Sequence, residues 1–499
     1  MFNKSIFKNY IFIIIILFYS CSNTEKEDIP IPQIKSFMFL MKDNPQYLSE
    51  DIVGTIKNNQ IILRIPHILS KQNLIPTIKL SDEQYSWIKE DITLGFDFSS
   101  PVEITIENKN GETQTYEIIV YAFTGLPIVY IDTENNESIT SKDRYLNANI
   151  QIIEDIYTRS EKTFKSNVKI KGRGNSTWTL PKKPYALKFD KKTSILGEPA
   201  NKSWVLLANY TDKTNLRNET AFFMGRISNL DWTPRSHFVE LFINNIYYGT
   251  YQICDKINIS DSRVNISDNG YLLEVDNPTK IGNDDITFRT ERLLFCIKDP
   301  DIEKDSERYQ EISNHIKNIE TVLFGDNFLD KDNGYAKYID KTSFVDWYLI
   351  NEITKNNDTF YSSSFMNISP DGKLKMGPLW DYDISLGNIN YNNNQSYEGF
   401  YAKNTIWIAR MFEDPEFVSL VKDRFNYFKS KKNDIFININ DNADYLKYSV
   451  VENNNKWQTL YKYTWPNYAI WGSYNNEVQY LKNWIEKRFN WLESAFSNL

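Results

Sequence analysis

Cysteine and histidine are scarce in this chain of 499 residues, with three of each. Cys21 closes an N-terminal apolar stretch, so only Cys254 and Cys296 remain for the body. One disulfide is possible there; a disulfide framework is not. His67, His237 and His315 are scattered, with no second His or Cys at ligand spacing, which argues against a zinc hydrolase. No G-x-S-x-G turn occurs, which argues against a Ser-His-Asp hydrolase. There is no basic tail either. With 57 Lys and Arg against 65 Asp and Glu, the net charge is −8, and nucleic acid is not expected as a partner. Beyond the leader no apolar run is long enough to span a bilayer.

What is present reads as globular. Hydrophobic residues make up 41% and charged residues 24%, and the length suggests about three domains. Aromatics reach 15%, which suits core and interface packing first and a sugar-binding surface second.

The N-terminus carries its own signal. Lys4 and Lys8 precede an apolar run over residues 11–18, which ends at Tyr19-Ser20-Cys21. That pattern describes a secretory leader over residues 1–20. A cysteine at the cleavage point resembles a bacterial lipoprotein signal, although Phe18 stands where a small residue or Leu is usual. Residues 21–34 read as a polar, acidic tether. The expected location is the cell envelope, at the outer membrane or cell surface, with lipid on Cys21 as the membrane contact.

Residues 35–123 alternate apolar and polar side chains in short runs, such as residues 77–80 and 102–107, with a turn at Asn108-Lys109-Asn110-Gly111. They predict a small β-sandwich that resembles the immunoglobulin-like modules of surface lipoproteins and suits a spacer or docking role. Gly125-Leu126-Pro127 opens an α+β region over residues 124–499. Strands are expected at 128–133 and 148–153, and a helix at 216–227. Residues 238–243 and 247–254 read as a hairpin about Asn244-Asn245. Helices dominate from residue 309, and the last, 477–496, keeps its apolar residues largely on one stripe.

Three clusters carry chemistry. Gly172-Arg173-Gly174 places two glycines where a turn could approach an anion, with Arg173, Ser176 and Thr177 as donors. Arg217 and Glu219 fall on the first turns of a helix, after Asp212. Asp358 follows a helical stretch and Asp381 a strand-like one, 23 residues apart. Two such loops can converge on a metal-bound phosphate, one carboxylate handling the acceptor hydroxyl and the other holding Mg²⁺.

In order along the chain, Arg173-Gly174-Asn175-Ser176-Thr177-Trp178, Lys182-Lys183-Pro184-Tyr185, Leu216-Arg217-Asn218 and Gly377-Pro378-Leu379-Trp380-Asp381-Tyr382-Asp383 resemble the CotH spore-coat kinase family. Trp484-Ile485-Glu486-Lys487-Arg488 fits it too. The resemblance covers about residues 126–499. It implies a reduced, atypical protein-kinase-like fold that transfers the γ-phosphoryl of ATP to Ser or Thr of secreted proteins. It further implies that Gly172, Arg173, Gly174 and Ser176 cover phosphates and that Lys188 pairs with them. Asp358 would be the catalytic aspartate, and Asp381 and Asp383 the Mg²⁺ or Mn²⁺ ligands. Glu219 is the candidate partner of Lys188, with Glu240 competing. The sequence departs from ordinary kinases in lacking H-R-D and D-F-G, and Ser363 stands where a metal-binding Asn is usual. Two other functions fit the residues: a surface scaffold or adhesion module without activity, and a glycan-active lipoprotein using Asp381 and Asp383 as an acid pair.

Overall fold

The computed structural model describes residues 31–499 apart from 47, 49–50, 67–70, 88–94, 155–162, 268, 283 and 371. The leader over residues 1–20, Cys21 and the tether up to residue 30 lie outside the described residues. The chain is mixed α and β and divides into two compact units between Ala122 and Phe123.

The first unit is built of strands β1 (Ile34–Phe39), β2 (Ile52–Val53), β3 (Thr55–Lys57), β4 (Gln60–Pro66), β5 (Thr77–Leu80), β6 (Tyr85–Trp87), β7 (Val102–Asn108) and β8 (Thr113–Phe123). They form two sheets, ordered β2-β1-β5 and β3-β4-β8-β7-β6. Alternate residues such as Phe37, Phe39, Ile61, Leu63, Ile106 and Ile118 supply one shared core. The β7–β8 turn closes on Asn108, whose side-chain carbonyl accepts from the N–H groups of Asn110 and Glu112, both at 3.0 Å.

The second unit opens with a closed barrel. Its strands are β9 (Ile128–Thr133), β10 (Leu146–Ile153), β11 (Thr163–Gly172), β12 (Tyr185–Thr193), β13 (Asn201–Leu207), β14 (Ser236–Ile243) and β15 (Ile246–Asp255). The order round the barrel is β10-β11-β12-β13-β15-β14-β9, and the closing β14–β9 pair is parallel. Inward-facing side chains fill it at period two: Ile150, Ile170, Leu187, Leu206, Leu241 and Ile253 are all buried inside. The β14–β15 hairpin turns at Asn244 and Asn245, both left-handed at φ 50° and 64°, a backbone that Asn tolerates.

Helix α1 (Arg217–Arg226) joins barrel to body. Ala221, Phe222 and Met224 belong to the same core as Val205, Phe238 and Cys254, which lie on the barrel's outer face. The body holds a second sheet, β17-β18-β16-β19-β20, from β16 (Tyr271–Val275), β17 (Ile286–Arg289), β18 (Leu294–Asp299), β19 (Ser364–Ile368) and β20 (Lys375–Met376). Around it lie α2 (Glu307–Phe324), α3 (Lys341–Thr354), α4 (Ile406–Met411), α5 (Pro415–Ser430), α6 (Lys432–Leu446), α7 (Ser449–Trp457) and α8 (Tyr474–Ser497). No helix among the described residues is long and apolar enough to cross a membrane.

Candidate active site

Helix α3 delivers the first carboxylate. It ends at Lys355, which turns left-handed at φ 49°. Lys355 is buried, and its ammonium donates to the carbonyls of Asn393 (3.0 Å), Ser396 (3.0 Å) and Glu398 (2.6 Å). Burial lowers its pKa to about 8. Those three bonds fix the exit of the helix and so the course of the next three residues. Asp358 then starts a tight turn, its carbonyl accepting from the N–H groups of Tyr361 (2.9 Å) and Ser362 (3.0 Å). The Asp358 carboxylate is nearly buried, 3.7 Å from the Lys280 ammonium, which also donates to the Ser362 hydroxyl at 2.8 Å.

The second and third carboxylates come from the segment after β20. Asp381 sits at φ +68° with the Ser363 hydroxyl 3.5 Å from its Oδ2. Asp383 is buried, accepts from the Thr211 hydroxyl, and its carbonyl accepts from Asn388 at 2.8 Å. A relay of buried side chains holds this segment against the barrel. The Tyr382 N–H donates to Asn218 (2.8 Å), and Asn218 donates to Asn209 (3.1 Å). Asn209 donates to Gln252 (3.0 Å), Gln252 to the Ser236 hydroxyl (2.7 Å), and Ser236 to Glu219 (3.0 Å). Arg217 braces the same loop from the other side, pairing with Asp212 and donating to the Ser385 carbonyl at 3.1 Å. The Leu216-Arg217-Asn218 motif therefore acts by positioning the aspartates.

Asp381 and Asp383 face a cleft of about 660 Å³ in the second unit, a size usual for a small-molecule site, and Asp358 stands behind its wall. Arg173, Gly174, Ser176, Lys280, Asp381 and Asp383 are on its wall. The Arg173 guanidinium lies over the Trp380 ring at 5.2 Å; burial lowers its pKa, and Asp381 is the leading charge opposing that. Burial raises Asp358 to about 6, Lys280 pulling down and Asp381 pushing up. Burial raises Asp383 to about 7, with Asp381 adding to it. Three carboxylates thus share one region whose negative charge is only partly met by Lys280 and Arg173. A further buried acid, Glu274 on β16, is raised by burial to about 7 despite Lys298 at 3.3 Å.

Other expected residues sit elsewhere. Lys188 is exposed and is not on the cleft wall. Glu219 pairs instead with Arg226 and accepts from the Ser236 hydroxyl. Glu240 is buried beside Thr124 and Tyr247, whose hydroxyls donate to it at 2.5 Å and 2.6 Å. Gly172 ends β11 and donates its N–H to the Ser141 carbonyl at 2.9 Å, while the Arg173 N–H donates to Pro184 at 3.2 Å. Neither amide is free for a phosphate. A side chain at Gly172 would stand 2.3 Å from the Trp178 ring, so close packing accounts for that glycine. Gly174, at φ +84°, is the residue that makes the turn. Lys280, Glu274 and Lys298 went unread in the sequence. The signal available was Tyr271-Leu272-Leu273-Glu274-Val275, a charge inside an otherwise apolar run, which marks a buried strand with a functional or paired acid.

The raised carboxylates set a pH dependence. A group whose folded pKa exceeds its unfolded value stabilises the fold while protonated, and that stability is lost as pH rises through the folded pKa. In chelator, the melting temperature should therefore fall between about pH 4 and pH 7, with Asp358 and Asp383 contributing. Asp383→Asn should flatten the fall without abolishing it, because Glu274 titrates in the same direction. Thermal melts at closely spaced pH values test this; an unchanged slope in Asp383→Asn would refute it.

Residues 170–492, about two thirds of the chain, match the family model described as CotH kinase protein. Residues 46–120 match the model described as SGBP, N-terminal. No curated protein matches the sequence. Five solved chains match, among them a protein from Bacteroides thetaiotaomicron named as a candidate glycoside hydrolase. This chain is 13% identical to it over 58% of its own length and 89% of the other's, at a TM-score of 0.19, which carries no argument about chemistry.

Proposed function

The chain belongs to the CotH kinase protein family, and on that premise we propose that it is a lipid-anchored, extracytoplasmic Ser/Thr protein kinase. The observation that carries the reading is the meeting of two loops: Asp381, on the cleft wall with Lys280 and Arg173, and Asp358, behind that wall and 3.7 Å from the Lys280 ammonium. In this reading the barrel with α1 and the helical body are the two lobes of a reduced kinase-like fold, and the first unit is an immunoglobulin-like spacer.

The donor set fits a hard cation. Its groups are carboxylate oxygens, and burial, with the Asp381 charge adding to it, raises Asp358 to about 6 and Asp383 to about 7. Among the described residues no three His, Cys, Asp or Glu side chains gather as a ready metal cage. Asp381 and Asp383 would hold Mg²⁺ or Mn²⁺ with the shell completed by water and phosphate oxygens, as Mg²⁺ commonly accepts. When bound, ATP would supply the phosphoryl group, and its divalent ion would supply positive charge against the phosphates. Arg173 and Lys280 orient the phosphates; Lys280 takes the role that the motif order suggested for Lys188. Asp358 receives the proton of the acceptor hydroxyl, and a pKa of about 6 suits a base working near neutral pH.

Thermal melts with ATP and Mg²⁺ or Mn²⁺ test the reading. The expected result is a rise in melting temperature that needs nucleotide and metal together. No rise with either metal would leave the scaffold as the better account. Placement in the envelope rests on Cys21: Cys21→Ser should move the protein out of the membrane fraction, and a variant still pelleting after a high-salt wash would refute lipid anchoring.

A further inference from the structure

Exposed aromatic rings gather on residues 458–471. Trp465 is 65% and Tyr463 53% exposed, and Tyr461, Tyr468 and Trp471 are exposed as well. Rings that pack no core need another reason to be held in place. This segment is held firmly from beneath. Asn467 is fully buried, donates to the Thr211 carbonyl (2.7 Å) and to Asn388 (2.9 Å), and accepts from Lys213 (2.7 Å). Thr211 is the residue whose hydroxyl donates to Asp383.

The platform is tied to the carboxylates on its other side too. Trp465 stacks on Tyr391, centroids 5.9 Å apart and planes at 15°. The Tyr391 hydroxyl accepts from Asn357 at 3.4 Å, and Asn357 in turn accepts from Asn392 (2.8 Å) and Asn394 (3.2 Å). Asn357 is the neighbour of Asp358. Asn390 donates to the Tyr463 hydroxyl at 2.6 Å. Flat rings and side-chain amides thus run from the edge of the site outward.

Charge says what the surface can hold. Residues 387–397 and 458–471 carry one charge between them, Lys462, in a chain of which 24% is charged. An acidic or basic peptide finds no complement there. A neutral sugar does: the C–H faces of a pyranose lie on aromatic rings, and its hydroxyls bond to amides and phenols. We propose that this platform binds the pyranose rings of a neutral glycan. Its continuity with Asn357 then makes a glycan-bearing molecule the acceptor at Asp358, a step that rests on the kinase reading, whereas the binding itself does not.

Affinity electrophoresis and calorimetry of the full-length protein with hydroxyethylcellulose, laminarin, dextran and mannan test the proposal. At least one should bind, and Trp465→Ala should weaken it tenfold or more. Tyr463→Ala, which removes the hydroxyl that Asn390 bonds, should weaken it severalfold and serves if Trp465→Ala does not fold. Asp381→Asn should bind glycan as wild type does, so loss of nucleotide binding and loss of glycan binding are separate readouts. The proposal is overturned if none of the four binds, or if Trp465→Ala and Tyr463→Ala bind like wild type. It is equally overturned if the Trp465-dependent ligand proves to be an unglycosylated polypeptide such as casein.

Discussion

Asp358→Asn should leave ATP binding nearly unchanged while lowering phosphoryl transfer by about 10²–10⁴-fold, the usual loss when a positioned base is removed. Asp381→Asn should weaken metal-dependent ATP binding itself, because a charged oxygen ligand becomes a neutral one. The difference follows from position. Asp358 is paired to Lys280 and stands behind the cleft wall, whereas Asp381 is on that wall beside Arg173. Neither variant should be lost to unfolding. Burial disfavours the charged form of Asp358, and Asp381 adds to the charge crowding around Asp358 and Asp383, so neutralising either removes an unfavourable charge from the ligand-free protein. Melting temperatures at or above wild type, with transfer abolished in both and ATP affinity lost only in Asp381→Asn, would separate a chemical role from a structural one. Calorimetric ATP titration alongside transfer to a Ser-rich acceptor is the measurement. Equal ATP affinity in Asp381→Asn would overturn the metal assignment.

Local pattern made much of this fold legible. Alternation gave β5, β7 and β9 to within a residue, and Asn244-Asn245 marked the β14–β15 hairpin. The stripe on residues 477–496 is the buried face of α8. Legibility stopped where contacts are long-range. The barrel closes by pairing residues 128–131 with 240–243 in parallel, which no local signal encodes. The sheet around β16 draws β19 and β20 out of the stretch expected to run mainly to helix, and its β16 and β18 bring Glu274 and Lys298 to the cleft. Lys280 follows the short turn at Pro278, and only tertiary packing sets it beside Asp358. The same limit explains Gly172. Spacing of glycines suggests a phosphate, but the cause is the Trp178 ring six residues on. Asp358, Asp381 and Arg173 were legible because motif order fixes them, while Lys280 was not.

Arg488→Met should be the most damaging single change for stability, because it would strand an ion pair that is fully buried on both sides. The Arg488 guanidinium donates to the Glu352 carboxylate (2.7 Å), twice to the Glu352 carbonyl (3.1 Å and 2.8 Å), and to the carbonyls of Tyr397 (2.7 Å) and Gly399 (2.8 Å). The same carboxylate accepts from the N–H groups of Tyr401 (2.8 Å) and Lys403 (2.7 Å). Methionine fills the volume and satisfies none of these acceptors. Breaking a buried pair on one side commonly costs about 3–5 kcal/mol. The loss should reach the site as well. Glu352 lies in the last turn of α3, six residues before Asp358, and the Tyr401 hydroxyl donates to the Asn357 carbonyl at 2.8 Å. The Trp484-Ile485-Glu486-Lys487-Arg488 motif thus serves the carboxylate loop from the far end of the chain. Urea unfolding should show a midpoint shift of that size with an unchanged slope, and Glu352→Gln added to Arg488→Met should recover part of it by removing the stranded charge. A shift below about 1 kcal/mol, on the scale of an exposed pair, would mean that the pair is hydrated and the anchor is elsewhere.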